Sequence, residues 1–376
     1  MDYPIRLDLP FWVESIFFTL SPSRLISGRS LLGVSMGPGS DQSSLLTVII
    51  TTSPTPSIPS TQLVSSVLRS FQRHCTALLT ARVIVVFDTF EHVTVRSRLK
   101  KGQTTAKVAE SYDEYKANVK ELIVSKYAPL GDKNPGNEPG ATSLHEWQER
   151  AEFGLENPKN EVSVAITQTA DQQVTFIEPA ARLGFGLAVR AALRICGTPY
   201  VWVQQHDWAL AADIPLGPLL DVMASSDADD TAPVKYVSFP SERMRSYAVS
   251  SCVNDYPALR ELTASLKRDF TPPTYPEVKV PLTPLFFWYD KPHVASTEHY
   301  LARVFPSRLA MRRGEFIEDK IGQRARQTMK QGQWHRWACW LYYADEAKVP
   351  CLRHLHGRTW EGAEGELFLK FGYVEE

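Results

Sequence analysis

Three short stretches of this sequence gather residue types that can do chemistry. In Gly314-Glu-Phe-Ile-Glu-Asp319, two acids, Glu318 and Asp319, fall where a helix is expected to start. A general base must be ionised at working pH and close to the hydroxyl it deprotonates. Acids in a first helical turn meet the first condition because the helix dipole favours their charge, though ordinary helix-start acids look the same. In Trp288-Tyr-Asp-Lys-Pro-His293, aromatic faces adjoin charged groups at what reads as a strand end. Sugars pack their C–H faces on rings while acids and imidazoles bind their hydroxyls. Trp288, Tyr289, Asp290 and His293 are therefore candidates for an acceptor or donor sugar platform, and a buried aromatic strand terminus fits the pattern equally. In Cys351-Leu-Arg-His-Leu-His-Gly-Arg358, His354 and His356 share a face if the chain is extended, so spacing does not choose between them. Arg312, Arg313 and Lys320 could offset phosphate charge or simply form a solvated basic face.

The elements that must position these groups follow from periodicity. Leu45 to Thr51 reads as a strand buried on both faces, ending at Thr52-Ser53-Pro54. Leu63, Val64, Val67, Leu68 and Phe71 then form a helical stripe, and a second strand, Val83 to Phe87, ends at Asp88. Strand, helix, strand is a parallel crossover, which brings the Thr52 loop and Asp88 to the C-terminal edge of the sheet, where open α/β sheets bind ligands. Further strands are expected at Val162 to Thr167, Val174 to Ile177, Tyr200 to Gln204, Tyr236 to Phe239 and Leu285 to Tyr289. Helices are expected from about Gly186 to Ile195, after Ser296 and after Ile317. Residues 1–42 read as an N-terminal extension, and residues 43–376 as one elaborated domain. A polar insertion at about 98–160 carries a helix near Val108 to Tyr127 and a Gly/Pro/Asn-rich segment from Gly131 to Gly140.

Composition narrows the partners. With 376 residues and 43% hydrophobic content the chain can bury a large core. The 41 basic and 42 acidic residues nearly cancel, so no chain-wide field attracts nucleic acid, and any phosphate binding must be local. Five scattered cysteines form no CxxC pair and read as reduced, packed thiols. No apolar run reaches the roughly 18 residues that span a bilayer. The N-terminal apolar clusters are broken by Glu14 and lack a signal-peptide pattern. The expectation is a cytoplasmic protein, or an excised catalytic domain, with no membrane span.

The stretch from Arg182 to Trp208 resembles the centre of the GT-A glycosyltransferases, in the nucleotide-diphospho-sugar transferase superfamily. There a glycine turn (here Gly184 and Gly186) leads into a small-residue helix, an apolar strand and an Asp-x-Asp motif; Gln205-His206-Asp207 stands in that motif's place. The sequence is similar to superfamily members with Gln-x-Asp instead of Asp-x-Asp. The resemblance implies an α/β fold with a mixed, mostly parallel central sheet and helices on both faces. It further implies an enzyme that transfers a sugar from a nucleoside diphosphate sugar to a hydroxyl of a carbohydrate or glycoconjugate acceptor, with inversion if the Glu-Asp pair supplies the base.

Carried onto this chain, the resemblance implies Asp319 or Glu318 as base. It places Thr51, Thr52, Ser53, Asp88, Arg182, Gly184, Gln205, His206 and Asp207 around the donor nucleotide. Asp207, with His354 or His356, is implied to hold a divalent cation, Mn2+ or Mg2+. Because the first aspartate is Gln205, metal affinity is expected to be weaker than in the family, or metal unnecessary.

Two other readings compete. A non-catalytic carbohydrate- or partner-binding protein of the same fold is motivated by Gln205. A sugar-phosphate nucleotidylyltransferase shares the sheet but needs a Gly- and Arg-containing loop after the first strand, and Thr51 to Ser57 has neither. A dinucleotide oxidoreductase is disfavoured because Gly184-Phe-Gly186 does not follow the first strand.

Overall fold

The computed structural model describes residues 42–95, 100–127 and 144–360. The N-terminal extension and the Gly131 to Gly140 segment lie outside the described residues, apart from Gln42. The expected crossover is present. The first strand, Leu46–Thr52, is buried throughout; helix Gln62–His74 buries Leu63, Val64, Val67, Leu68 and Phe71; the second strand is Arg82–Phe87. The two strands pair in parallel with Thr52 opposite Phe87, and Asp88 N–H donates to the Thr52 carbonyl at 2.8 Å. The Thr52 loop and Asp88 therefore share one edge.

The chain is α/β around an eleven-stranded mixed sheet. Its centre is parallel, in the order Tyr200–Gln205, Leu46–Thr52, Arg82–Phe87, Val174–Pro179. The chain moves one way across the sheet through helix Gln62–His74 and the opposite way through helix Phe185–Ile195. Right-handed crossovers then put these two helices on opposite faces. Beyond Val174–Pro179, strands Glu161–Thr169 and Leu144–Glu152 add antiparallel. On the other side, His293–Ser296 runs antiparallel between Tyr200–Gln205 and Tyr236–Ser238, followed by Cys339–Tyr342, Val280–Pro284 and Arg268–Phe270.

Two features differ from the sequence reading. The polar segment at 98–160 carries the expected helix, Tyr112–Tyr127, which buries Tyr112, Tyr115, Val119, Ile123 and Tyr127, but it also supplies an unexpected edge strand, Leu144–Glu152. Its hydrophilic composition hides one apolar stripe on the helix and a charged, edge-appropriate strand. The strand expected from Leu285 to Tyr289 is instead irregular chain, and the strand in that region is Val280–Pro284. An aromatic run looks the same to periodicity whether it is a ladder strand or a buried bend.

All five cysteines are free, and burial pushes the Cys75 and Cys351 thiols up to about 12. Among the described residues, no helix is long and apolar enough to cross a membrane.

Candidate active site

The glycine turn is fixed from both sides. Asp88 accepts Leu183 N–H at 2.7 Å on one carboxylate oxygen and Gly184 N–H at 2.9 Å on the other. Burial pushes the Asp88 carboxyl up, opposed by these N–H groups and by the Arg182 charge. With both oxygens committed, Asp88 positions the turn instead of facing a base or ribose. Gly184 sits at φ 81°, and Gly314, on the facing turn, has the same φ. Gly314 N–H donates to Leu183 O at 2.7 Å, and a Cβ on Gly184 would lie 2.8 Å from Gly314 N. Glycine at 184 allows this backbone contact, while Gly314 is needed for its positive φ and because a Cβ there would lie 2.9 Å from Arg182 Nη1; the contact brings the Glu318-Asp319 helix to the sheet edge. Glu91 bridges Arg182 and Arg313, each at 3.5 Å.

The end of strand Tyr200–Gln205 is organised by polar side chains. Buried Gln204 accepts from Trp202 Nε1 at 3.1 Å and donates to the carbonyls of Gln205 and Trp208, fixing the turn that carries His206 and Asp207. His206 N–H donates to Thr51 O at 3.0 Å. The His206 ring points inward: its Nδ1 accepts Ser53 N–H at 3.3 Å and lies 2.8 Å from Thr52 Oγ1, which in turn meets Tyr115 Oη at 2.7 Å. That pattern places the imidazole proton on Nε2. Burial lowers the His206 pKa, so the ring is neutral. The hydroxyls of Thr51 and Thr52, expected to contact the nucleotide, are buried and engaged internally, because they cap a central strand. In this segment Ser53 alone is partly exposed.

Asp207 comes together with the two histidines. Strand Trp208–Leu210 pairs antiparallel with Leu352–His354, and Leu355 N–H donates to Asp207 O at 2.7 Å. Asp207 Oδ2 lies 3.2 Å from His354 Nε2, and His354 Nδ1 lies 3.1 Å from His356 Nδ1. Burial resists ionisation of Asp207, but the His354 hydrogen bond, the neighbouring imidazoles and Gly357 N–H outweigh it and hold the carboxyl below its ordinary range. Gly357 is required here: a Cβ would sit 3.0 Å from Asp207 Cβ and 3.3 Å from His206 Nε2. Among the described residues, no three His, Cys, Asp or Glu side chains are arranged to hold a metal ion. The Asp207–His354 pair still offers an anionic oxygen and an imidazole nitrogen side by side. That donor set suits a hard divalent cation which takes its remaining ligands from phosphate and water.

The two acids of the helix start separate. Glu318 N–H donates to Asp290 Oδ1 at 3.1 Å, and Asp290 N–H donates to Glu318 Oε2 at 3.3 Å. Glu318 is thus committed to a reciprocal clamp. Asp319 is exposed and makes no side-chain hydrogen bond or ion pair among the described residues. The helix opens with a π turn, Glu318–Gly322, a geometry frequent at functional sites. Burial lowers the Lys101 pKa; the Asp319 charge resists this, while the Arg182 and Arg358 charges add to it. The Lys101 ammonium lies 3.9 Å from the Phe316 ring centre.

The sugar platform is largely corrected. Trp288 and His293 are fully buried, and Asp290 is nearly so. Trp288 packs on Tyr236 and Tyr300, and His293 is a strand residue whose Nδ1–H donates to Lys291 O at 2.7 Å. Of the four, Tyr289 keeps part of its ring accessible. Asp290 Oδ2 is buried without a partner; burial, then the Glu318 charge, drive its pKa far up, so this acid is neutral. Sequence reasoning missed Lys101, Gln204 and Tyr115. Lys101 and Tyr115 lie in a segment with no motif, and Gln204 reads as strand.

The fold and site together define an open α/β sheet with charged side chains gathered at the C-terminal edge of its parallel centre. Among solved structures the chain is similar to a mannosyltransferase, PcManGT from Pyrobaculum calidifontis, in complex with GDP-Man and Mn2+, at 13% identity and TM-score 0.35. That match covers 80% of this chain and 58% of the other. It is also similar to TarS of S. aureus at 10% identity and TM-score 0.33, over 79% of this chain and 35% of that one. The chain thus spans well under two thirds of either protein. The sequence matches no family model and no curated protein.

Proposed function

We propose that this protein transfers a sugar from a nucleoside diphosphate sugar to an acceptor hydroxyl on a carbohydrate or glycoconjugate, inverting the anomeric centre. The observation that carries the reading is an uncommitted, exposed carboxylate, Asp319, on the helix that follows the turn where Arg182 packs against Gly314 and the Lys101 ammonium lies 3.9 Å from the Phe316 ring centre. Asp319 takes the acceptor proton as the acceptor oxygen forms its bond to the anomeric carbon. The bond from that carbon to the phosphate oxygen breaks in the same displacement, and the electron pair leaves with the diphosphate. Lys101, Arg182 and Arg358 offset the charge that develops there, an electrostatic contribution that is largest where water is excluded. Asp207 Oδ2 and His354 Nε2 would hold a Mn2+ or Mg2+ ion, which when bound supplies further charge stabilisation to the leaving diphosphate. Because the acid is a base and not a nucleophile, one displacement suffices and configuration inverts.

Calorimetry with UDP and with GDP, each with and without Mn2+, tests the reading. Binding of one nucleotide, tightened by Mn2+, is expected. Failure of both nucleotides under both conditions would refute it and leave a carbohydrate- or partner-binding module of the same fold.

A further inference from the structure

We propose that Gln205 is a positioning residue for the base-bearing helix and not a ligand of donor or metal, an inference that rests on the glycosyl-transfer reading above. Gln205 ends the central strand opposite Thr51, in the place where the resemblance implies the first metal-binding aspartate. Its amide is turned away from that task. Nε2 donates to the Asp290 carbonyl at 2.8 Å, across 85 residues of sequence. Asp290 in turn exchanges two hydrogen bonds with Glu318, and the next residue is Asp319.

Three hydrogen bonds thus connect the end of the sheet's central strand to the first turn of the helix that presents the base. The segment between Leu285 and Asp290 is irregular and is held by side-chain bonds: Phe286 N–H donates to Tyr247 Oη at 3.1 Å, Tyr289 exchanges two bonds with Tyr236 Oη at 3.0 and 3.2 Å, and the Gln205 bond ties down its end at Asp290. The helix also lies close against that segment: a Cβ on Gly322 would sit 2.7 Å from Trp288 O.

The chemistry of the bond explains why the residue is an amide. A carbonyl oxygen needs a donor, which glutamine supplies and an ionised acid lacks. A carboxylate at position 205 would face the Asp290 carbonyl and add negative charge beside Asp290 and Glu318. The role is fixed by the donated proton, so Gln205→Glu, of equal length, removes the function while keeping the shape.

Two variants of the full chain test the proposal. If Gln205 positions the base, Gln205→Glu lowers kcat by about 30-fold or more, since a small misplacement of a reacting group costs on the order of 100-fold. The KM for the sugar nucleotide and the half-saturating Mn2+ concentration stay within about twofold, because uniform binding is untouched. Unchanged kcat, or tighter Mn2+ binding with kcat retained, would show Gln205 to be a latent ligand position and overturn the proposal.

Amide hydrogen exchange gives a readout independent of turnover. In Gln205→Ala, the Asp290 and Glu318 N–H groups are expected to exchange at least about tenfold faster, with Leu46–Thr52 unchanged. Equal rates in variant and wild type would overturn the proposal. A wild-type protein that turns over no sugar nucleotide defeats the glycosyl-transfer reading alone, and exchange still decides the role of Gln205.

Discussion

On one side of the sheet edge, Thr52, Asp88 and the Arg182–Gly184 turn are tied by bonds that radiate from paired parallel strands. On the other side, Asp290, Glu318 and Asp319 sit on irregular chain and a π turn, held by side-chain bonds over long sequence separations. The first side inherits its geometry from the sheet, whereas the second must build its own. On the glycosyl-transfer reading proposed above, binding of a diphosphate would fall to the sheet-tied side, and proton transfer to the side whose exact placement depends on a few polar contacts. Rate and affinity should therefore respond to different substitutions.

The largest expected effect is on chemistry. Asp319→Asn should lower kcat by about 1,000-fold, within the range assigned to general bases, while nucleotide affinity measured by calorimetry stays within a few-fold. An equal loss of affinity would erase the division between the two sides.

Next comes the rigid side. Asp88→Ala leaves the N–H groups of Leu183 and Gly184 without acceptors and should destabilise the fold by about 2–4 kcal/mol. Denaturation in urea reads that loss. Nucleotide Kd should rise more than kcat falls at saturating donor; the reverse order would mean that the glycine turn serves the base and not the donor.

The smallest effect distinguishes the two sides by acid. Burial holds His293 and His299 at about 4, well below the ordinary 6.5 or so of an unfolded chain. Above that unfolded value both states are neutral and nothing changes. As pH falls from about 6.5 toward 4, the unfolded chain takes up protons that the folded one does not, so stability declines. Asp290, with its raised pKa, acts in the opposite direction, since a neutral acid is favoured as pH falls. His299 donates from Nε2 to Trp337 O at 2.9 Å, so His299→Gln keeps a donor and should flatten the decline. A urea midpoint with the same pH slope in the variant would show that this histidine is not what acid attacks.

Much of the rigid side was legible in the sequence for the same reason that it is rigid. Strand-helix-strand periodicity fixed the crossover, and the crossover fixed where Thr52 and Asp88 end up. The sequence also pointed to Asp207 meeting His354 or His356, of which His354 is the one in contact, and to Asp319 at a helix start. It did not show that Thr51 and Thr52 turn their hydroxyls inward, because a strand-end threonine looks the same in either rotamer. For Trp288 and His293 the sequence left a sugar platform and a buried strand terminus equally open, because aromatic and imidazole side chains suit a sugar as well as they suit a core. The Gln205–Asp290 bond has no local signature: neither residue's neighbours betray a partner 85 positions away. Lys101 was hidden for a related reason, as one more charge in a polar stretch.

The contact of Gly184 with Gly314 carries a consequence for how such a site can diversify. On the reading proposed above, the donor-side turn and the turn before the base are joined there by main chain, at a point where even one carbon added to Gly184 collides with backbone. The gap between them behaves like a fixed gauge, indifferent to side-chain fashion. A larger or smaller sugar cannot be accommodated by stretching that gap, so a lineage that changes its substrate must recut the remaining walls of the cleft and leave these two glycines alone.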